Sequence, residues 1–508
     1  MAMRRGGGRS ELVVGDPALF RPLRPAAAMA LDEQIVERVA ALHAAGRLRK
    51  GAHLPRIRAL ADRLGVSHGT VSRAYKILAT RGLVAAASTR GTELLVGTTG
   101  GRSLALPWAP PVMQPAPPGD PLSIVIRRSD RDDRVNFDVS ECGPDLRPTP
   151  LINGALTEVA PLAMAYPPLT ALPECAEAVE RYLRRRGVRL QRATMLVTSG
   201  TTSSLAIVAR ALARPGSVVL TEHPTWHVAL SVFSAAGLQV VGVPVDDDGL
   251  DTEGLGDVIL RHSPAFLYLQ PAFQNPTGVT LAPERRSALI EIARRLHVPI
   301  VEDDFASELA FGPAPAPLHA ADGEDVVIYL KSFAKLLAPG LRVGVIVAPT
   351  RYEPILRATK HGLDPFVSAL AQRVVAACLT SDEFDRHLKR LAQELAARAG
   401  TLGRALEASR LPAGTRWTSP RGGLCAWIEF PAPLRTCDLL PDLADAGVSV
   451  SPGHLFCLGT GGDQSARLAF GATSREAIER GIARLVDVVR VHARPHRRSV
   501  PVLRGPSP

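Results

Sequence analysis

No run of eighteen apolar residues occurs in this 508-residue sequence, so no membrane-spanning helix is expected. The opening residues 1–10 are basic and glycine-rich, but no apolar stretch follows them, and they do not read as a secretory signal. Cysteine is scarce and scattered. Cys142, Cys175, Cys378, Cys425, Cys437 and Cys457 include no Cys-x-x-Cys pair, which argues against a disulfide framework or a zinc site and suits a reducing cytoplasm. No metal site is expected. Apolar residues make up 46% and charged residues 21%, the proportions of a soluble globular protein. The chain is too long for one core, and two or three domains are expected.

The net charge of +11 is unevenly spread. Residues 1–99 hold 16 Lys and Arg against 7 Asp and Glu; the other 409 residues hold 44 and 42, close to neutrality. A compact basic module beside a neutral one points to a nucleic-acid partner for the module.

Residues 1–29 lack periodicity and read as a disordered arm. From Leu31, helical spacing appears: Ile35, Val39 and Leu42 share a face, and Gly46 ends the helix. Ile57, Leu60, Ala61 and Leu64 form a second short amphipathic helix. Gly65-Val66-Ser67 is a tight turn, with Ser67 placed to cap a third helix that carries Val71, Ala74, Tyr75 and Leu78 inward. That helix presents His68, Gly69, Thr70, Ser72 and Arg73 near its start, the way a recognition helix meets the major groove. Leu83-Val84, Thr89-Arg90-Gly91-Thr92 and Leu94-Leu95-Val96 read as a two-stranded wing with Gly91 at its tip.

Residues 30–97 resemble the winged-helix domain of the GntR family of bacterial regulators. The matching runs are Gly-Arg-Leu-x-x-Gly-x-x-Leu-Pro, Leu-Ala-x-x-Leu-Gly-Val-Ser and Thr-Val-x-Arg-Ala-Tyr. The resemblance implies that Arg58, His68, Thr70, Arg73 and the wing at Gly91 meet double-stranded DNA. His68 stands where the family usually has Arg, and Arg56 where it has a small polar residue, so base preference is expected to differ from the family's. Residues 98–134 hold seven prolines, among them Pro110 and Pro111, and read as an extended linker. Residues 491–508 carry arginines among prolines and read as a disordered basic tail.

Between residues 135 and 490, strand-like and helix-like runs alternate, which predicts an α/β domain with a largely parallel sheet. One stretch organises it. Ile328-Tyr329-Leu330-Lys331-Ser332-Phe333-Ala334-Lys335 begins as an apolar strand and ends in a polar loop that reaches Arg342. A lysine that forms a Schiff base needs an apolar, phosphate-anchored pocket. Ser332 and Arg342 would hold the phosphate of pyridoxal 5'-phosphate while Lys335 reaches its aldehyde carbon. Leu196-Val197-Thr198-Ser199-Gly200-Thr201 is a strand running into a helix, whose N-terminal amides favour phosphate.

Ser-Phe-Ala-Lys followed by Arg-Val-Gly resembles the lysine motif of fold-type I aminotransferases. Four further motifs follow the family's order: Tyr166 to Pro173, Ser199-Gly200-Thr201, Gln274-Asn275-Pro276-Thr277-Gly278, and Val301-Glu302-Asp303-Asp304. The resemblance implies roles for individual residues. Ser199, Gly200, Thr201, Ser332 and Arg342 would bind the phosphate, and Trp226 would stack on the ring. Asn275 would bond its O3′, and Asp303 would pair with its nitrogen, with the adjacent Asp304 as the alternative acid. Lys335 would form the internal aldimine. Arg467, in Ala466-Arg467-Leu468, would take an effector carboxylate, a task to which Arg is suited, and Tyr166 would line the same effector site. Pro167 and Ala171 replace family glycines, and Phe305 replaces a tyrosine whose phenol is a second donor to O3′.

A winged helix joined by a linker to such a domain is the arrangement of the MocR-type branch of GntR regulators. That resemblance implies a cytoplasmic, homodimeric transcription regulator, acting on a DNA operator and sensing pyridoxal phosphate or a small amine or amino acid. Two readings compete with it. One is an active aminotransferase with a tethered DNA-binding module; the other is a degenerate domain that dimerises without cofactor. The retained Lys335, Asn275, Asp303 and Arg342 oppose the last, and Phe305 opposes the first.

Overall fold

The computed structural model describes residues 19, 22–23, 30–44, 53–80, 83–87, 91–94, 133–159, 166–322, 325–459 and 461–493. The chain divides into two units, one within residues 1–106 and the other within 107–508.

In the first unit, helix α1 (Leu31–Ala44) buries Ile35, Val36, Val39 and Leu42, and begins with Asp32 and Glu33, which suit the positive end of a helix dipole. Helix α2 (Ile57–Leu64) ends at Gly65, whose φ of 66° lets its N–H close the last turn on the Ala61 carbonyl. Helix α3 (His68–Thr80) is capped by the Ser67 hydroxyl, 3.2 Å from the Thr70 amide. The Tyr75 hydroxyl donates to the Pro55 carbonyl at 2.6 Å, fixing α3 against the segment that leads into α2.

Strand β1 (His53–Leu54) pairs antiparallel with β3 (Gly91–Leu94), which pairs antiparallel with β2 (Val84–Ala87). The expected two-stranded wing therefore has a third strand. Gly91 is not its tip: it opens β3 opposite Ala87. Residues 89–90, 95–96 and Gly46 lie outside the described residues. The expected arm also needs correction. Leu19 and Leu23 are buried in the apolar cluster of the helices, and Arg38 donates to the Leu19 and Pro22 carbonyls, so part of residues 1–29 is packed rather than solvated.

The second unit opens with β4 (Val135–Phe137), which joins a five-stranded sheet in the order β13-β14-β16-β15-β4. Its later members are β13 (Arg416–Trp417), β14 (Cys425–Glu429), β15 (Val448–Pro452) and β16 (Ser465–Ala469). The helix Arg475–Ala493 lies tight on β4, since a Cβ at Gly481 would come within 2.6 Å of Val135 and 2.7 Å of Phe137.

The larger sheet runs β5-β12-β11-β10-β9-β6-β7-β8. Its strands are β5 (Ala193–Thr198), β6 (Val218–His223), β7 (Gln239–Asp246), β8 (Gly249–Leu250), β9 (Phe266–Leu269), β10 (Ile300–Asp304), β11 (Val327–Ser332) and β12 (Gly344–Pro349). Strands β7, β6, β9, β10 and β11 are parallel neighbours. Every residue of β9, β10, β11 and β12 is buried, as befits strands covered on both faces.

Strand β12 is antiparallel to both β11 and β5. The end of β5, the end of β11 and the start of β12 therefore lie on one edge of the sheet, together with the ends of β6, β9 and β10. Ligands of open α/β sheets bind at this carboxyl edge. Most of the linker (residues 98–132) and most of the C-terminal tail (residues 494–508) lie outside the described residues.

Candidate functional site

Ser332 ends β11, and Lys335 follows in the next turn. The Lys335 ammonium nitrogen lies 2.7 Å from the Ser140 carbonyl. Burial pulls its pKa below the ordinary lysine value, aided by the cations Arg467 and Arg342 and opposed by Cys142 and Glu141. Burial that disfavours the ammonium form moves a lysine toward the neutral amine, the form that attacks a carbonyl. Lys331 is differently placed. It is fully buried, pairs with Glu308 and lies 3.4 Å from Asp304, so its nitrogen is held in a structural ion pair.

Arg342 has a left-handed backbone (φ 50°) after the short turn Pro339–Leu341. Its guanidinium rests on the Gly200 backbone: a Cβ at Gly200 would stand 2.8 Å from an Arg342 Nη, and the Gly200 φ of 95° favours glycine as well. Gly344 allows the same close approach, since its Cβ would come within 3.0 Å of Gly200 Cα. Gly200 begins the helix Thr201–Leu212 without a side-chain cap, leaving its first amides for a ligand. The Thr201 hydroxyl is buried and has no partner among the described residues.

The expectation for Ser199 is corrected. Its amide and its hydroxyl each lie 2.7 Å from the Asp364 carboxylate, which also accepts from Ser203, so Ser199 is engaged away from the cradle.

The ring end of the site is more completely built. Asp303 is buried, and its Oδ2 accepts from the Tyr268 hydroxyl and from Gln270 Nε2, both at 2.8 Å. Its Oδ1 has no partner among the described residues. Burial pushes the Asp303 carboxyl up to about 6 against those two hydrogen bonds. Asp304 accepts from Ser307 and Tyr329, each at 2.7 Å. Burial acts upward there too, but Lys331 and these hydroxyls outweigh it and hold Asp304 below the usual range. Between the two candidate acids, Asp303 is the one with an oxygen to offer.

Asn275, also buried, donates its amide to Gln270 Oε1 at 3.0 Å and accepts from Arg467 Nη1 at 3.0 Å. The buried Arg467 further donates to Ser451 and to the Asp138 carbonyl, and lies 4.9 Å from the Phe456 ring centroid. Its Nε is buried without a partner among the described residues. Trp226 is half-buried and precedes the helix His227–Ala235. A cleft of about 620 Å³ opens nearby, lined by Pro224, Thr277, Trp417, Thr418 and Trp427 among others.

Tyr166 does not join this group. It is 88% exposed and packs on Phe366, with ring centroids 5.5 Å apart. Its assignment to the effector site beside Arg467 is corrected accordingly. Phe305 is buried in the apolar cluster, and neither nearby phenol replaces the missing one, because Tyr268 serves Asp303 and Tyr329 serves Asp304. Sequence reasoning missed Gln270, Tyr268, Ser140, Ser451 and Asp364. Gln270 alone left a trace, as a polar residue closing the apolar run Phe266–Leu269 just before the Asn275 motif.

On the DNA-binding unit, Arg58, His68 and Arg73 are exposed. Arg73 pairs with Asp32 at 3.0 Å, and His68 lies 3.8 Å from Asp62. Thr70 is corrected: it is buried, with its hydroxyl 2.9 Å from that of Ser67, so it completes the helix cap rather than facing a base.

Pyridoxal phosphate would need a ring acid, a phosphate cradle and an amine in reach of one another. The unpartnered Asp303 Oδ1 and Thr201 hydroxyl, the glycine-lined Arg342 cradle and the buried Lys335 supply an acid, a phosphate site and an amine on one sheet edge. They fit the group. Together with the sheet order, these parts define a fold-type I aminotransferase domain, carried on one chain with a winged helix-turn-helix.

The chain belongs to the aminotransferase class I and II family, whose model matches residues 156–485, and the bacterial gntR regulatory family matches residues 31–94. It is 28% identical to the uncharacterized HTH-type transcriptional regulator YisV of Bacillus subtilis, over 88% of this chain and 93% of that one. It is 33% identical to a 2-aminoadipate transaminase of Thermus thermophilus (65% and 82%), and 30% identical to the probable rhizopine catabolism regulatory protein MocR of Rhizobium meliloti (71% and 74%). Among solved structures it is similar to Pyrococcus horikoshii kynurenine aminotransferase. That match has a TM-score of 0.69 at 28% identity and covers 72% of this chain and 93% of that one. The fold class inferred from the sequence, a winged helix-turn-helix plus a fold-type I α/β domain, is the one found. Among the described residues, no helix is long and apolar enough to cross a membrane.

Proposed function

We propose that this protein is a DNA-binding transcription regulator whose aminotransferase-like domain holds pyridoxal phosphate on Lys335 and senses the cofactor or an amine or amino-acid effector. The observation that carries this reading is one chain bearing a GntR helix-turn-helix and a domain in which Lys335, Asp303 and the Gly200–Arg342 cradle stand together. When bound, the cofactor supplies an aldehyde that links covalently to amines and a ring that accepts electrons.

The chain's own residues have separable tasks. Gly200, Thr201, Ser332 and Arg342 would anchor the phosphate. Asp303 would hold a proton at the ring nitrogen, and Asn275 would donate to O3′. Lys335 would provide the amine that holds the cofactor, and Arg467 would receive the effector's carboxylate. Arg58, His68, Arg73 and the wing at Gly91 meet the operator. Residues 30–97 form the DNA-binding module, 98–134 the linker and 135–490 the cofactor domain. The working unit is a cytoplasmic homodimer, since two modules reach specific affinity where one does not.

A second reading, a working aminotransferase with a tethered module, is supported by the intact Asp303–Asn275–Arg467 set and by the transaminase relatives. Phe305 favours the sensor. The test is the visible absorption spectrum of the purified chain, alone and with a panel of amines and amino acids. A cofactor band that changes with one class of amine without product formation supports the sensor. Steady product formation near the typical ~10 s⁻¹ supports the enzyme. A colourless protein that takes up no cofactor refutes both.

A further inference from the structure

Gln270 has no part in the cofactor contacts named so far, yet two of them, Asp303 and Asn275, meet at it. Leu269 pairs with Glu302 in the β9–β10 register, so Gln270, one residue on, comes level with Asp303 at the carboxyl edge. It is only 2% exposed. Its Nε2 donates to Asp303 Oδ2 at 2.8 Å, and its Oε1 accepts the Asn275 amide at 3.0 Å. Its own backbone N–H donates to Glu222 Oε2 at 2.9 Å, at the end of β6, the strand on the other side of β9.

A buried amide with both ends used is strongly constrained: its oxygen can face only Asn275 and its nitrogen only Asp303. That choice fixes which oxygen of Asp303 stays open. Tyr268 and Gln270 both occupy Oδ2, and Oδ1 is left without a partner. It also fixes the loop at Asn275, whose side-chain oxygen is held by Arg467, leaving its Nδ2 to point elsewhere.

We propose that Gln270 is the positioning residue that sets Asp303 and Asn275 in register for one ligand, so that a ring nitrogen and a ring hydroxyl are met together. The role rests on the reading that the site takes pyridoxal phosphate, and it assigns to Gln270 no contact with the cofactor itself. The consequence is specific. Loss of Gln270 loosens both ring contacts at once and leaves the phosphate cradle and Lys335 intact. A structural glutamine would instead stabilise the fold with or without the cofactor.

The experiment uses the full chain and the variants Gln270→Leu, Gln270→Glu and Tyr268→Phe. Three quantities are read: the pyridoxal phosphate Kd by fluorescence, the pH midpoint of the bound cofactor's visible absorption, and the melting temperature without cofactor. Gln270→Leu removes a hydrogen bond to a charged group and leaves the Asn275 amide buried and unpaired, so the Kd is expected to rise roughly tenfold or more. The midpoint is expected to move up by about half a unit or more, because both contacts that favour the deprotonated form weaken.

Gln270→Glu keeps the shape and the hold on Asn275 but sets a carboxyl against Asp303. It is expected to weaken the cofactor at neutral pH, and it carries the test should the leucine variant not fold. Tyr268→Phe removes only one donor to Asp303 and is expected to give a smaller effect than Gln270→Leu. A Kd and midpoint within about twofold and a tenth of a unit of the unmodified protein in both Gln270 variants overturns the proposal, whatever happens to the melting temperature. Failure of the cofactor reading is separately visible, because the unmodified protein would then show no cofactor band.

Discussion

Replacing Lys331 by methionine separates the two lysines of the Ser-Phe-Ala-Lys stretch. Lys331 is fully buried between Glu308 and Asp304, four residues from Lys335. Removing one partner of a buried ion pair costs about 3–5 kcal/mol, because the other charge is left without compensation. The surroundings place the cost toward the lower end. Arg186 Nε still lies 3.3 Å from Glu308, the Tyr182 hydroxyl still donates to it, and Asp304 keeps Ser307 and Tyr329.

A loss of about 3 kcal/mol in a unit of this size lowers the melting temperature by roughly 3–6 °C. Cofactor attachment should survive in Lys331→Met, and borohydride reduction followed by peptide mapping should find the pyridoxyl group on Lys335. Lys335→Ala should show the converse pattern, with no label and little change in melting. A Lys331→Met variant that melts with the unmodified protein, or that loses the label, would contradict a structural role for Lys331.

Three further outcomes are expected. Burial pushes Glu222 up to about 8 and Glu302 up to about 7, so the folded chain retains protons that the unfolded chain has released. Stability without cofactor should therefore fall as pH rises from about 6.5 to 8, a window above the opposing titration of buried histidines such as His227, held down at about 4. A melting temperature that is flat or rising across that window contradicts the assignment. Arg73→Ala should weaken binding to a selected DNA duplex roughly tenfold, whereas Asp32→Ala, which frees Arg73 from its ion pair, should strengthen it, as read by fluorescence anisotropy over a salt series. Phe305→Tyr should lower the pH midpoint of the cofactor's visible absorption by roughly one to two units, because a hydrogen bond to a charged oxygen contributes about 1.5–3 kcal/mol. An unmoved midpoint would show that residue 305 does not face O3′.

The parts legible in the sequence are those written in consecutive residues. Lys335 and Arg342 sit in one strand-loop, Gly200 and Thr201 at one helix start, and Val71, Ala74, Tyr75 and Leu78 on one helix face. The parts that were missed are pairings between distant segments. Ser199 looked like a phosphate ligand because nothing near it in sequence announces Asp364, 165 positions away. The carbonyls of Ser140 and Asp138, which hold Lys335 and Arg467, come from 195 and 329 positions away and carry no side-chain signal. Thr70 was misread because a hydroxyl near a helix start serves a cap as readily as a base. Tyr166 is exposed on Phe366, a placement not legible in the sequence, because a motif gives a residue's place in the chain but not what its side chain packs against.

A regulator that senses through its cofactor domain must bind DNA differently with and without the signal, which DNA binding by the full chain, read against cofactor and amine, measures. The probe is a duplex that the chain itself selects from a random library, and binding is titrated without cofactor, with pyridoxal phosphate, and with the cofactor plus each amine of the panel. Affinity for this duplex is expected to change with the cofactor or with one class of amine, and Lys335→Ala is expected to bind the same duplex without responding. Equal affinity under every condition, or an undiminished response in Lys335→Ala, would contradict it.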